Sequence, residues 1–371
     1  MTDFVVVGGG IAGLSAAAHL APHGSVTLLE MEQSLAFHTT GRSAALFVVN
    51  YGGEGSRLLA LASQPFFESP PEGSVDAALL ADRGALWIAD HTQLERLHAI
   101  ADEGHRSGAG SELVDADGVL DLVPRMRQER IAAGLYEPSA RDIDVAALHQ
   151  AFVRMARRDA ADIRLSSPVT HLTRLANGWR VSTPNGSLDC SAVVNASGAW
   201  GDLVAAMAGI RPIGLEPMRR TAFMVPGDRA FADWPMVVDV DHNFYFRPDG
   251  VQLLCSLAEE TPSEPMDPRP AMEDVVLAIE RINQATTLDI RTVNSQWTGL
   301  RTFAPDRDLV IGEDPTAPGF FWLVGQGGTG IMTSPAYGAL VASQVLGTGL
   351  PEALANAGVD PATTAPDRFR V

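Results

Sequence analysis

The chain has 371 residues, which at ~150 residues per domain points to two domains and to enough core to enclose a ligand. Its composition, 46% hydrophobic and 19% charged, belongs to a globular protein rather than a disordered one. The formal net charge of −18 repels nucleic acid and anionic membrane, and all 27 basic residues are arginine, so lysine Schiff bases and P-loops are excluded.

The N-terminus lacks the basic region of a signal peptide. Phe4–Val7 reads as a short buried strand. A helix follows from Ile11 to about Leu20, ended by Pro22 and Gly24. Glycines and polar Ser15 and His19 interrupt this apolar stretch, so it is no membrane span. Val26 to Glu30 is a second buried strand and completes a β-α-β unit. Residues Ser63 to Gly73, rich in Pro, Ser and Glu, read as a connection. Leu94 to His98 lies in a polar helix. Asp144 to Ala160 fits another, with Asp142 or Asp144 as N-cap.

Asn177-Gly178 and Asn185-Gly186 are hairpin signals and define a small meander, which feeds the strand Ala192 to Asn195. Strand patterns then cover Thr221 to Val225, Met236 to Val240, Phe244 to Arg247 and Val251 to Ser256. Glu260 to Pro270 is a Pro-rich loop, and Met272 to Gln284 a helix. Gly319 to Leu346 reads strand, glycine turn, helix. Cys190 and Cys255 make neither a disulfide framework nor a metal site. A reduced, cytoplasmic setting without metal or transmembrane segment is expected. The fold class is α/β (α+β overall): a Rossmann-type nucleotide domain with an inserted, mostly antiparallel sheet. The expected boundaries are 1–80, 140–212 and 295–371 for the first domain, and 81–139 and 213–294 for the second.

The strongest motif is Gly8-Gly-Gly10-Ile11-Ala12-Gly13, placed between a strand and a helix. Gly8 permits the tight turn, Gly10 lets backbone approach a pyrophosphate, and Gly13 allows close helix–strand packing. The helix N-terminus offers free N–H groups and partial positive charge to phosphate, with no lysine needed. Glu30 ends the second strand about 20 residues on, where an acid accepts ribose hydroxyls. A dinucleotide site follows, although the motif alone does not choose between FAD and NAD.

Further segments do choose. His38-Thr-Thr-Gly-Arg-Ser-Ala-Ala45, Val193-Val-Asn-Ala-Ser-Gly-Ala-Trp200, Arg219-Arg220, Phe244-Tyr245, Trp297-Thr-Gly-Leu-Arg301 and Gly325-Gln-Gly-Gly-Thr-Gly-Ile331 span nearly the whole chain. Together they resemble the FAD-dependent glycine/D-amino-acid oxidase family, most closely its D-arginine dehydrogenase members. The resemblance implies a tightly held FAD, and with no cysteine near Gly325 to Ile331 for a covalent link it is expected to be non-covalent. Glu30 would hold the adenosine ribose. Arg42, Ser43 and Ala44 would run along the flavin, and Val169 would contact adenine through its backbone. Ala196, Ser197 and Gly198 would flank the nucleotide half, and Gly327, Gly328, Thr329, Gly330 and Ile331 would face the pyrimidine edge. That last assignment has a separate reason, because glycine N–H groups before a helix near Pro335 would stabilise the anionic reduced flavin.

A substrate carboxylate is usually met by a bidentate arginine. By resemblance, Arg220 and Arg301 would bind it together with Tyr51 and Tyr245, two of only four tyrosines in the chain. Arg301 follows a predicted strand and Arg220 opens one, with Arg219 the weaker member of its pair. The implied reaction is hydride transfer from Cα to flavin N5, giving an imine that hydrolyses to a 2-oxo acid and ammonia. Two pocket positions depart from the D-arginine enzymes: Ala85 stands where an acid meets the guanidinium, and Leu46 where a histidine stands. The expected substrates are therefore apolar or neutral D-amino acids. Secondary amines, such as N-methyl or cyclic amino acids, are the alternative. A flavin monooxygenase lacks a second nicotinamide motif here, and a redox-silent binding protein is a further alternative. With no lysine to activate oxygen in the manner of sarcosine oxidases, a dehydrogenase is favoured over an oxidase. The electron acceptor, quinone or oxygen, stays open.

Overall fold

The computed structural model describes residues 2–106 and 110–370. Phe4–Val7, buried at every position, lies inside a six-stranded sheet. Across it the order is Val310–Glu313, Phe320–Val324, Ala192–Asn195, Phe4–Val7, Val26–Leu29 and Asp162–Arg164. Every pairing is parallel except that of the edge strand Val310–Glu313. Strands covered on both faces must be apolar throughout, which is why Val26–Leu29 and Ala192–Asn195 were legible as unbroken runs.

The helix Ile11–Leu20 leaves only His19 outside the buried set. It packs against the helices Val145–Arg158 and Ser334–Leu346. The second contact is backbone-close: a Cβ on Gly338 would fall 1.9 Å from Ser15 Oγ, which donates to the Ser334 carbonyl at 2.6 Å. Asp144 caps Val145–Arg158, accepting from the Ala147 N–H at 2.8 Å. No helix among the described residues is long and apolar enough to cross a membrane.

One expectation fails in this layer. Residues from Ser63 onward do not begin a connection, because a helix runs Glu54–Glu68 with Pro65 inside it. Leu59, Ala60, Ala62 and Phe67 are buried on one face, which packs against Ser334–Leu346. Proline costs a helix interior about 3 kcal/mol. Burying a Leu and a Phe alone returns roughly 3–6 kcal/mol, so packing overrides local propensity.

A second sheet of nine strands is mostly antiparallel. Its order is Thr261–Pro262, Glu216–Pro226, Gln252–Ser256, Tyr245–Asp249, Met236–Asp239, Ala85–Ala89, Ala133–Glu137 and Glu112–Asp115, with Ser295–Phe303 also paired to Glu216–Pro226. Met236–Asp239 and Ala85–Ala89 form its one parallel junction. The strands Ala85–Ala89, Ala133–Glu137 and Glu112–Asp115 were missed in the sequence, as was the short Thr261–Pro262 inside the Pro-rich loop. One face carries Leu86, Phe223, Val237, Phe246 and Cys255, and the helix Met272–Ala285 packs over that core. The opposite face carries Trp87, Ala222, Val238 and Tyr245.

Candidate active site

The glycine motif makes the cradle its spacing demands. Gly8 has φ +110°, and a Cβ there would lie 2.5 Å from the Ala196 carbonyl oxygen. A Cβ on Gly13 would lie 1.9 Å from the Gly8 carbonyl oxygen, so no larger residue fits. At Gly10 the nearest atom to an added Cβ is Thr40 Oγ1 at 3.2 Å, which leaves the helix start open to a ligand. Thr40 Oγ1 accepts from the Ile11 N–H at 3.0 Å. Glu30 is buried; its two oxygens accept from the Gly9 N–H at 2.6 Å and the Glu32 N–H at 2.8 Å.

This cradle opens into a cavity of about 1740 Å³, its solvent-open part included. Gly8, Gly10, Ile11, Ala12 and Glu30 line one end, with Val169, Ala196, Ser197 and Gly198 around them. Arg42, Ser43 and Ala44 border the middle. Gly327, Gly328, Gly330 and Ile331 line the far end beside Arg220, Tyr245 and Arg301. Gly13 works from behind the lining. Thr329 is buried away from the lining, with Oγ1 donating to the Gln326 carbonyl at 3.0 Å and lying 3.3 Å from Ser56 Oγ. The charge of Arg42 is directed to protein: it donates to the Thr298 carbonyl at 2.8 Å and pairs with Asp267 at 2.5 Å.

Strand register explains the arginine end of the cavity. Arg220 lies opposite Gly299 and Met218 opposite Arg301 on adjacent antiparallel strands. Side chains alternate across a sheet, so Arg220 and Arg301 share a face and Arg219 points to the other. Arg219 accordingly pairs with Asp274 of the covering helix at 3.0 Å. Both site arginines lie within their strands, Glu216–Pro226 and Ser295–Phe303, rather than at an opening or just past an end.

Arg301 makes no ion pair among the described residues; its one side-chain hydrogen bond is donated by Nη1 to the Tyr51 hydroxyl at 3.2 Å. Burial opposes its charge, but Tyr51, Tyr245 and Glu260 outweigh that and hold its pKa above the ordinary arginine value. Arg220 donates from Nε to the Glu259 carbonyl at 2.8 Å and reaches Glu260 at 3.3 Å. Burial and the like charge of Arg301 push the pKa of Arg220 down. Glu260 also pairs with Arg307 at 2.7 Å. A partly desolvated arginine with no ion-pair partner is well placed to take an anion.

Leu46 and Ala85 do not line this cavity. Both are buried against each other and Ala140, with Val48 and Met236 beside them. Leu46 is fixed there by the pairing of Leu46–Phe47 with Arg141–Ile143, and Ala85 by its register opposite Glu137 and Met236. Sequence reading missed His242 and Trp87. Their rings lie 5.6 Å apart at 89°, and each is 6.5 Å from the ring of Tyr51. His242 has φ +57° in a turn tied by Asp239, whose Oδ1 accepts from the N–H groups of Asp241 and Asn243. Burial, then Arg220, Arg96 and Arg301, push its pKa down. No local motif marks it, because its place comes from strands far apart in sequence.

A glycine cradle, a helix N-terminus, a buried carboxylate and a long cavity define a dinucleotide-binding oxidoreductase site, and the residues present fit FAD. The family model for DAO, FAD dependent oxidoreductase, matches residues 3–344, and the chain belongs to this family. The cofactor is FAD, as throughout that family. The chain is 27% identical over 261 residues to mitochondrial dimethylglycine dehydrogenase of Homo sapiens, a match covering 68% of this chain and 30% of that enzyme. The chain thus spans under a third of that relative's length. It is 24% identical over 360 residues to glycine oxidase of Bacillus licheniformis, covering 93% of each. Among solved structures, L-proline dehydrogenase from P. horikoshii has the same fold, with TM-score 0.87, 21% identity, and coverage of 100% of this chain and 98% of that one.

Proposed function

We propose that the protein oxidises the C–N bond of a small neutral amino acid, N-alkylated ones included, with the substrate carboxylate held by Arg301. The observation that carries this is the half-buried Arg301 guanidinium, without an ion-pair partner among the described residues and bonded only to Tyr51, at one end of the FAD cavity. FAD supplies the hydride acceptor, flavin N5.

The protein's own groups bind and orient. Arg301 and Tyr51 would grip the carboxylate, and Tyr245 would wall the same end. Arg220, restrained by Glu259 and Glu260, adds positive potential. That potential has a second effect: it disfavours a protonated substrate amine, and the neutral amine is the form whose lone pair can drive oxidation. The substrate C–H bond beside nitrogen breaks, its electron pair leaves as hydride, and the nitrogen lone pair forms C=N. Water then hydrolyses the imine to a carbonyl product and an amine or ammonia. With the geometry preset, positioning supplies most of the acceleration.

Selection for neutral side chains rests on this electrostatics, since Leu46 and Ala85 lie outside the cavity lining. A cationic side chain would meet Arg220 and Arg301. The similarity to proteins named dimethylglycine dehydrogenase and glycine oxidase supports a small or N-methylated amino acid as the substrate of this chain. We further propose that FAD is not covalently held by cysteine: Cys255 is in the core of the far sheet face and Cys190 is packed in the core with Trp179. With no lysine in the chain, a dehydrogenase passing electrons to an acceptor other than oxygen is the favoured form.

The test is an anaerobic screen of sarcosine, dimethylglycine, glycine, proline and neutral and cationic D- and L-amino acids, reading flavin absorbance. Bleaching by neutral members and not by D-Arg or D-Lys is expected. Bleaching fastest with D-Arg contradicts the proposed selection, and no bleaching by any amine favours a redox-silent protein. Peroxide yield on re-aeration separates oxidase from dehydrogenase.

A further inference from the structure

The carboxyl of Glu137 lies outside the cavity lining. Glu137 ends the strand Ala133–Glu137 and is 0% exposed. Its Oε1 accepts from the Val49 N–H at 3.1 Å, and the Asn50 N–H is directed at the same carboxyl. Its Oε2 has no partner, and the side chain forms no ion pair among the described residues. An apolar residue would suit a buried site better on stability alone. A local rule broken without compensation points to function.

What Glu137 grips is the backbone that delivers Tyr51. The strand Leu46–Phe47 ends before it and the helix Glu54–Glu68 begins after it, so this stretch lies outside both elements. Buried N–H groups there need another acceptor. Trp87 and His242 flank the Tyr51 ring, yet they do not hold its backbone. The depth of the Tyr51 hydroxyl, which accepts from Arg301 at 3.2 Å, is left to the chain just before it.

We propose that Glu137 is a positioning residue for the substrate carboxylate: its buried carboxyl holds the backbone at Val49 and Asn50 so that Tyr51 meets Arg301. This rests on the reading of Arg301 and Tyr51 as the carboxylate site. Displacement of an anchoring group by even about 1 Å is enough to spoil such a grip.

The experiment is a double-mutant cycle read by binding rather than turnover. Acetate is titrated into the oxidised, FAD-loaded protein, and the perturbation of the flavin spectrum gives Kd. E137L fills the volume without an acceptor, and a Kd about tenfold weaker is expected. E137Q keeps an acceptor, and a Kd within threefold of wild type is expected. In a Y51F background, E137L should add less than a twofold change. If E137L does not hold FAD, E137A takes its place in the cycle. An unchanged Kd in E137L, or a loss equally large with and without the Tyr51 hydroxyl, overturns the proposal. R301M separates the two layers. If R301M abolishes acetate binding while E137L leaves it intact, only the role of Glu137 fails. If R301M leaves it intact, the carboxylate site itself fails.

Discussion

The two ends of the cavity are built on different principles. The cradle end is made of backbone: Gly8, Gly10 and Gly13 lie within a few residues of one another, with Gly8 and Gly13 dictated by a distance or a dihedral angle and Gly10 leaving the helix start open. The arginine end is made of side chains: Arg220, Tyr245 and Arg301 converge through strand register, and Tyr51 joins them from the stretch between Leu46–Phe47 and Glu54–Glu68. Backbone sites tolerate almost no substitution, whereas side-chain sites can lose function and keep the fold.

The largest expected effect tests the first half of that contrast. Gly13→Ala would force a Cβ to 1.9 Å from the Gly8 carbonyl oxygen. We expect a loss on the order of 3–5 kcal/mol and protein purifying without FAD, measured by denaturant unfolding and flavin content. A stable, FAD-loaded G13A would show that the cradle can relax.

Next comes Arg301. R301M removes a half-buried charge that makes no ion pair among the described residues, so FAD binding should persist and the Tm of substrate-free protein should not fall. Activity should drop by roughly 10²–10³ in kcat/KM, about 3–4 kcal/mol, as expected for a desolvated charged contact. A large drop in Tm would make Arg301 a structural residue instead.

The neighbours Arg219 and Arg220 sharpen the comparison within two adjacent positions. R220A should cost about tenfold or more in kcat/KM, because Arg220 faces the cavity. R219A should leave activity unchanged and cost no more than about 1 kcal/mol, because its pair with Asp274 is partly exposed. Equal effects would mean that the assigned faces are wrong.

A further prediction is a pH slope. Burial lifts the Glu137 carboxyl to about 7. A raised carboxyl favours the protonated folded state. Its contribution is therefore full below the ordinary glutamate range and is lost as pH rises through about 7. Between roughly pH 5 and 8, wild type should lose stability relative to E137Q, checked by urea unfolding at each pH. Parallel profiles would show that Glu137 does not titrate there.

Legibility followed the same division. The cradle was readable because Gly8, Gly10, Gly13 and Glu30 are local and chemically forced, and the flanking strands and helix came with it. Arg301 and Tyr245 were readable only through resemblance to a family. His242 and Glu137 were not readable at all, since one depends on a turn lying beside a distant ring and the other on burial. Leu46 and Ala85 illustrate the converse. Both were matched by motif position, yet pairing to Arg141–Ile143 and Glu137 buries them together outside the cavity lining. Pro65 misled for a related reason, as proline reports local propensity while the helix through it answers to the core.

The proposed role of Arg301 is to anchor the carboxylate of a neutral amine substrate beside FAD. Its most direct test is anaerobic mixing of wild type and R301M, both FAD-loaded, with the best substrate of the screen and with the same amine lacking its carboxylate. We expect wild type to bleach rapidly with the acid and slowly with the decarboxylated amine, and R301M to be slow with both. Equal bleaching of R301M and wild type by the acid would contradict it.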